Sequence, residues 1–232
     1  MHTILKGKTK EVIIGIDKPF AMIGEKINPT GRKKLAAALA EGNLDYVRQL
    51  AENQAAWGAD LLDINVGVPG IDEVAVIKKV VELVASVTDL PLCLDSANPQ
   101  VLAAGLAAAP GKPLVNSVSG ETKKLDMVLP LVKDRGAAVI GLTMDDNGIP
   151  KTAEERVAVA EKILERAARL GIPAEDVIID PLVLTVGSDS QAAMITLQTI
   201  DLLRKEFGST STWEPAMSPL ACPTGWRLTR PS

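Results

Sequence analysis

Acid and amide side chains follow short apolar runs at several points in this chain, and these are the residues whose types and spacing could do chemistry. In residues 91–98 an apolar run leads into Asp95, Ser96 and Asn98. Three consecutive apolar residues, 92–94, are typical of a parallel strand buried on both faces. Functional side chains of α/β proteins collect where such strands end. Asp95 is therefore either a site residue or a cap of the next helix, and both readings stay open at this residue.

The same arrangement recurs along the chain, and the residues that share it are Asn28, Asp63, Asn65, Asp95, Asn116 and Asp180. Periodicity and turn signals predict strands near residues 20–23, 60–67, 91–95, 113–117, 137–144 and 177–181, separated by helices that end with one over 191–207. Helices between consecutive strands require a parallel sheet. We expect an α/β fold of the TIM (β/α)₈-barrel type, with six of the eight βα units evident, in which the six polar residues share one mouth.

An open, doubly wound sheet is the alternative architecture. Neither the G-x-G-x-x-G dinucleotide fingerprint nor a Walker motif is present, and this favours the barrel. A small β-hairpin over residues 3–16 precedes the first core strand, and its predicted role is to close one end of the fold.

Composition narrows the classes of function. The 232 residues are 47% hydrophobic and 23% charged with a net charge of −4, which fits one soluble domain and offers no basic footprint for nucleic acid. Cys93 and Cys222 suggest no disulfide framework, and no apolar run is long enough for a membrane span, so we expect a cytoplasmic protein. His2 is the sole histidine, which excludes a Ser-His-Asp triad and a histidine-rich zinc site. Acid–base chemistry must then fall to carboxylates, amides, water or a cofactor.

The strand-end segments resemble the pterin-binding family, which unites dihydropteroate synthase, the folate module of cobalamin-dependent methionine synthase and the methyltetrahydrofolate:corrinoid methyltransferases. The segments that carry the resemblance are 23–31, 62–67, 93–96, 115–117, 141–144 and 179–182. The likeness is greatest to the corrinoid methyltransferases, because residues 63–67 read Asp-Ile-Asn-Val-Gly where dihydropteroate synthases usually carry a loop rich in serine and glycine.

The resemblance implies that Asp95, Asn116 and Asp180 hydrogen-bond the pterin ring. A reduced pterin presents N–H donors that suit carboxylates and a carbonyl that suits an amide donor. Second candidates for lining the mouth are Asn28, Asp63 and Asn65.

Of these second candidates, Asn65 is expected to face the ligand more than Asp63. The alternative for Asp63 is a structural hydrogen bond to a loop backbone. Glu25 and Lys26 are expected to form at most an ion pair at the rim, outside the site.

The reaction implied is transfer of the N5 methyl group of methyltetrahydrofolate to the Co(I) of a cobalamin-like corrinoid. The chain shows no corrinoid-binding module, so that cofactor is expected on a partner protein. A homodimer is implied by the resemblance alone. The alternatives are a dihydropteroate synthase of folate biosynthesis and a non-catalytic pterin-binding protein.

The resemblance stops after residue 208, which we take as the end of the barrel domain (1–208). Residues 209–232 form an irregular, proline-rich tail where the family has a seventh strand ending in a catalytic asparagine. Residues 209–223 can be encoded so that a frame starting one base earlier reads Asn-Ile-Asn-Leu-Gly-Ala-Ser-Asn-Val-Ser-Phe-Gly-Leu-Pro. We hypothesise a shift of reading frame near Gly208, against the alternative of a natural disordered tail. Loss of the seventh and eighth units is expected to impair methyl transfer.

Overall fold

The structure is a computed structural model that describes residues 2–183 and 191–207. In these residues a two-stranded N-terminal hairpin is followed by six further strands with seven helices after and between them. The strands are β1 (Thr3–Lys6), β2 (Glu11–Ile14), β3 (Ile23–Ile27), β4 (Leu61–Ile64), β5 (Leu92–Asp95), β6 (Leu114–Ser119), β7 (Ala138–Leu142) and β8 (Val177–Asp180). The helices are α1 (Lys33–Glu41), α2 (Asp45–Ala56), α3 (Glu73–Val87), α4 (Pro99–Ala108), α5 (Thr122–Arg135), α6 (Ala153–Arg169) and α7 (Ala192–Phe207).

The six strands β3 to β8 pair in parallel and in chain order. A doubly wound sheet reverses its strand order at a switch point, whereas a barrel adds each new strand to the same side. The sequential order therefore excludes the doubly wound alternative and confirms the barrel-type α/β fold. Among the described residues, β3 and β8 are the two edges of this sheet.

The sheet has two buried faces of different character. The outer face packs on the helices through residues such as Leu62, Leu94, Val115 and Ile179. The inner face is apolar at the amino ends of the strands, where Leu61, Cys93, Leu114, Ala138 and Ile178 form a second core. Side chains of a strand alternate between faces, so the next inward position of each strand lies nearer its carboxyl end.

The hairpin of β1 and β2 covers the amino end of the inner face, as the sequence predicts. Its residues Leu5, Val12 and Ile14 belong to the same inner core. Lys6 exchanges two backbone hydrogen bonds with Lys112 ahead of β6, with N···O distances of 3.0 and 2.8 Å. This end of the sheet is therefore plugged.

A buried ion pair stabilises the plugged end. Lys112 Nζ lies 2.5 Å from Asp176 Oδ1, and Asp176 is 7% exposed. The hydroxyl of Thr3 donates to the backbone carbonyl of Glu175, which joins β1 to the same short turn before β8. The Thr3 contact holds the hairpin against the chain that enters β8, and the ion pair holds that chain against the segment before β6.

The first core strand differs from the prediction. It spans Ile23–Ile27, whereas the apolar run 20–23 suggested an earlier strand. Phe20 is 94% exposed and Met22 is also exposed, so their hydrophobicity does not mark burial. The strand instead continues through Gly24 to Ile27, where the buried Gln54 of α2 accepts the backbone N–H of Lys26 at 2.7 Å.

Two further findings bear on the expectations. Within residues 2–183 and 191–207, the helices are too short or too polar to cross a bilayer. The domain boundary at residue 208, the tail 209–232 and the frameshift hypothesis lie outside the described residues and stay predictions.

Candidate functional site

Polar side chains replace apolar ones on the inner face at the carboxyl ends of the strands. Two residues after Leu61, Cys93, Leu114 and Ile178, the same faces carry the polar layer, defined here as Asp63, Asp95, Asn116 and Asp180. Asp95 and Asn116 are direct partners in the register of β5 and β6. The sequence prediction that successive strands bring these residues to one mouth is consistent with this geometry.

Asp95 is not the cap of the following helix. Asn98 caps α4 instead, because its side chain accepts the backbone N–H of Gln100 at 2.9 Å. Asp95 Oδ2 accepts a hydrogen bond from Asn65 Nδ2 at 2.9 Å. Burial raises the pKa of Asp95, and the Asn65 hydrogen bond partly opposes this rise. The capping alternative is therefore excluded, and the carboxylate points to the inner face.

Asp63 and Asn116 form a second acid–amide pair. Asn116 Nδ2 donates to Asp63 Oδ1 at 3.2 Å, and the Cys93 thiol between them also hydrogen-bonds the Asp63 carboxyl. Asp63 is 2% exposed. Burial, with a smaller contribution from the negative charge of Asp95, raises the pKa of Asp63 to about 7. The expected alternative, a bond from Asp63 to a loop backbone, is replaced by these side-chain contacts.

The amide of Asn65 is engaged at both ends within the protein. Its Nδ2 donates to Asp95, and its Oδ1 accepts the backbone N–H of Gly67 at 2.8 Å. These bonds fix the orientation of the side chain and hold one oxygen of Asp95. These contacts let Asn65 orient Asp95, and the expectation that Asn65 faces the ligand more than Asp63 stays a prediction.

Asp180 ends β8 and is held by its own loop. Asp180 Oδ1 accepts the backbone N–H of Leu182 at 2.8 Å, and its backbone carbonyl accepts both the N–H and the hydroxyl of Thr143, at 3.1 and 3.0 Å. Burial raises the pKa of Asp180, and the positive charge of Arg156 opposes this rise. Asp180 makes no hydrogen bond to the two acid–amide pairs within the described part of the chain.

Sequence reasoning missed Arg156. It lies in the first turns of α6 and is 1% exposed, although an arginine at this point of an amphipathic helix is usually solvated. The buried 156 position could be read only from its spacing with Ala153 and Val157, which are also buried.

The first strand contributes less than the others. Asn28 Oδ1 accepts the backbone N–H of Thr30 at 3.0 Å, which forms a local turn after β3. Glu25 raises the pKa of Asp63 through its negative charge. A Glu25–Lys26 ion pair is not among the ion pairs of the described residues, and the charge of Glu25 is the smallest of the effects on the pKa of Asp63.

The polar layer leaves acceptor atoms available at the mouth. Asp95 Oδ1, Asn116 Oδ1 and Asp180 Oδ2 have no hydrogen-bond partner among residues 2–183 and 191–207. Acceptors of this kind bind a ligand edge that is rich in N–H donors. In the same described ranges, His, Cys, Asp and Glu form no cluster of three that could hold a metal ion. The arrangement is therefore suited to hydrogen-bonding an organic ring.

A (β/α) barrel-type sheet with an acid–amide layer at its strand ends defines the class of protein. The pattern of the family described as "Pterin binding enzyme" matches residues 24–220. The chain therefore belongs to the pterin-binding enzyme family.

Relatives from two groups are similar to this chain. The methionine synthase of Mycobacterium leprae is 32% identical over 200 residues, which cover 81% of this chain and 17% of that protein. The methylcorrinoid:tetrahydrofolate methyltransferase of Eubacterium limosum is 31% identical over 191 residues, which cover 80% of this chain and 69% of that protein. The chain thus spans about a sixth of the methionine synthase and about two thirds of the methyltransferase.

Two solved structures that are similar to this chain are dihydropteroate synthases. That of Xanthomonas albilineans in complex with 7,8-dihydropteroate is 26% identical with a TM-score of 0.58, covering 85% of this chain and 71% of that one. That of Yersinia pestis has a TM-score of 0.63 at 19% identity, covering 88% and 73% of the two chains, and shows the fold alone.

Proposed function

We propose that this chain binds the pterin ring of methyltetrahydrofolate at the polar layer and transfers the N5 methyl group to the Co(I) of a corrinoid on a partner protein. The observation that carries the proposal is the pairing of Asn65 with Asp95 and of Asn116 with Asp63 on one buried face. These pairs leave acceptors at one mouth, beside Asp180.

The binding step follows from the chemistry of the ring. The aminopyrimidinone edge of a reduced pterin offers several N–H donors and one carbonyl. Asp95 and Asp180 are the proposed acceptors for the donors. The amide of Asn116 can accept through Oδ1 or donate its second N–H to the carbonyl. Hydrogen bonds to an ionised acceptor are about twice as strong as neutral ones.

The transfer step requires positive character at N5, because a tertiary amine is a poor leaving group. The methyl group leaves without the bonding electron pair, which stays on N5, and Co(I) supplies the pair for the new bond. Asp63 is the acid of the polar layer whose pKa lies at about 7, so it holds a proton at neutral pH for part of the time. Water and amides can carry a proton from this region to the ring.

The names of the relatives support the methyl-transfer class. The Eubacterium relative is named as a methyltransferase, and the two mycobacterial relatives are named methionine synthases. The Eubacterium relative is named for transfer from the methylcorrinoid to tetrahydrofolate, so both directions belong in the assay. The partner protein and a homodimer remain proposals.

The experiment has a binding arm and a transfer arm. Calorimetric titration with methyltetrahydrofolate should give saturable binding that Asp95→Asn weakens. Incubation with cob(I)alamin should convert its visible spectrum to that of methylcobalamin. Binding without conversion would support a non-catalytic pterin-binding protein, and absence of binding would refute the proposal.

A dihydropteroate synthase is the second candidate, favoured by the fold of the solved structures. It is tested by supplying the hydroxymethyl-dihydropterin diphosphate with aminobenzoate and measuring dihydropteroate. Product formation would replace methyl transfer as the function of the same pocket.

A further inference from the structure

Arg156 is a buried cation that contacts backbone oxygens on three sides. Its Nε donates to the carbonyl of Pro150 at 3.1 Å, and its Nη1 donates to the carbonyls of Pro181 and Leu182 at 2.7 and 2.8 Å. Nη1 also lies 3.4 Å from the hydroxyl of Thr196 on α7. One guanidinium thus joins the loop before α6, the chain after β8 and the first turns of α7.

The chain that Arg156 holds is strained. Leu182 has φ +58°, and the left-handed region is unfavourable for leucine because its Cβ comes too close to the following carbonyl oxygen. Such a conformation persists only where surrounding contacts over-determine it. The carbonyl of Leu182 accepts from Arg156 and from the hydroxyl of Thr196 at 3.2 Å. Its N–H donates to Asp180 Oδ1 at 2.8 Å. Hydrogen bonds at both the N–H and the carbonyl of Leu182 therefore stabilise its left-handed conformation.

The charge of Arg156 also acts on Asp180. The two side chains form no ion pair within the described residues. Burial raises the pKa of Asp180 and lowers the pKa of Arg156, and the opposite charge of each group counteracts the shift of the other. The other elements against Asp180 present uncharged groups: the Thr143 hydroxyl after β7 and the Leu182 N–H. Arg156 is accordingly the charged side chain that acts on this carboxylate in the described structure.

We propose that Arg156 is a positioning residue for the pterin site: it holds Leu182 in the left-handed region so that the Leu182 N–H fixes one oxygen of Asp180 and the other oxygen faces the ligand. Arg156 itself touches no ligand in this scheme. The inference rests on the proposed function for the identity of the ligand only. Its structural part concerns Asp180 and Leu182 in ligand-free protein.

The chain offers a matched control in Arg135. This arginine also donates to two backbone carbonyls, Nε to Leu106 at 2.9 Å and Nη2 to Ala109 at 2.7 Å, but near the plugged end of the sheet. Arg135→Lys and Arg156→Lys both keep the charge and lose the fork geometry. A general loss of stability should affect both variants alike.

The first readout is hydrogen exchange of backbone amides in ligand-free protein. Arg156→Lys should speed exchange of the Leu182 amide about tenfold or more, which corresponds to about 1.4 kcal/mol of lost protection. The amide of Ala75 serves as the internal reference, because it donates to the Asp72 carboxylate at 3.1 Å on another helix. Arg135→Lys should leave the Leu182 amide unchanged.

The second readout is the titration of Asp180, followed by ¹³C NMR of labelled aspartate and assigned with Asp180→Asn. Arg156→Met should raise the titration midpoint of Asp180 further, because the opposing charge is gone. Arg156→Lys should stay near wild type. If Arg156→Met does not fold, the exchange rate of the Leu182 amide in Arg156→Lys decides whether the inference stands.

Binding of methyltetrahydrofolate is the third readout, and it separates the two proposals. Arg156→Lys should weaken binding about tenfold, whereas Arg135→Lys should stay within about twofold of wild type. A wild-type chain that fails to bind would overturn the proposed function and leave the first two readouts to decide this inference. The inference itself would be overturned by a wild-type exchange rate of Leu182 in Arg156→Lys together with a wild-type midpoint of Asp180 in folded Arg156→Met.

Discussion

Asn116 on β6 donates to Asp63 on β4 across the intervening strand β5, with an N···O distance of 3.2 Å. The bond passes over Cys93, whose thiol also contacts the Asp63 carboxyl. Residues two strands apart in a flat sheet lie about 9–10 Å apart, so the contact requires the inward curvature of a barrel wall. The curvature of the sheet, together with the order of its strands, therefore brings the residues of the polar layer into contact.

Removal of one charge from the polar layer should weaken pterin binding. Asp95→Asn keeps the shape of the side chain and its bond from Asn65, but replaces a charge-assisted acceptor with a neutral amide. Hydrogen bonds to charged groups contribute about 1.5–3 kcal/mol, so the dissociation constant for methyltetrahydrofolate should rise about 10- to 100-fold.

Calorimetry on Asp95→Asn measures that change, with Asp126→Asn as the control. Asp126 is an exposed acid paired with Arg166 on the outer helices. Equal effects of the two substitutions would remove Asp95 from the site.

Asp63 should make stability fall with rising pH. Its folded pKa of about 7 exceeds the unfolded value near 3.9, so the stabilising form is the protonated one. Its contribution is complete below about pH 4, is lost between about pH 4 and 7, and stays lost above that range. A shift of this size corresponds to a loss on the order of 4 kcal/mol.

Urea unfolding of wild type and Asp63→Asn at pH 4.5 and 7.5 tests this contribution. The variant keeps an acceptor for Asn116 and should lose clearly less stability across the interval. Asp95 and Asp180, whose pKa values are also raised, contribute a slope of the same sign in both proteins. Identical slopes would show that Asp63 is ionised in the folded state at both pH values.

The plugged end should tolerate no side chain at Gly111. This glycine has φ +60°, and a Cβ built on it would lie 2.2 Å from the carbonyl oxygen of Lys6. Gly42 is the matched control, because it has φ +71° and nothing within 4 Å of the added Cβ. Gly42→Ala should cost about 1 kcal/mol from the backbone conformation alone. Gly111→Ala should cost about 1–3 kcal/mol more, because the hairpin must move away. Equal unfolding free energies for the two variants would contradict the close approach.

The buried ion pair beside the hairpin should be costly to break. Lys112→Met leaves the Asp176 carboxylate buried without its partner, and such single deletions destabilise by about 3–5 kcal/mol. The exposed pair of Lys205 with Asp201 on α7 is the control, and Lys205→Met should change stability by less than about 0.5 kcal/mol. Thermal unfolding compares them, and a loss in Lys112→Met as small as that of the control would mean that water reaches Asp176.

The order of the elements and the edge that carries the site could be predicted from the sequence, because both depend on local periodicity and on the rule for parallel strands. Helix α4 begins at Pro99, where Asn98 and Pro99 are strong start signals in the sequence. The predicted first strand lies too early in the chain. Its apolar residues Phe20 and Met22 are exposed, and apolar character alone does not distinguish an exposed edge from a core.

The partners of the site residues could not be predicted in the same way. The Asn116–Asp63 bond depends on curvature, which no local pattern encodes. Arg156 lies within a helix whose charged residues are mostly solvated, and its burial depends on the loop after β8, 25 residues further along the chain. Contacts of this kind arise from tertiary packing.

The hairpin plug has a kinetic consequence for the proposed reaction. With Leu5, Val12 and Ile14 filling the amino end of the inner face, we expect both reactants to approach the polar layer through the mouth at the carboxyl end. A folate seated on the polar layer lies beneath any protein that docks over that mouth. We therefore expect the folate to bind before the corrinoid protein and to leave after it. This order is an ordered sequential mechanism. An excess of the corrinoid protein should then trap the folate product and inhibit turnover.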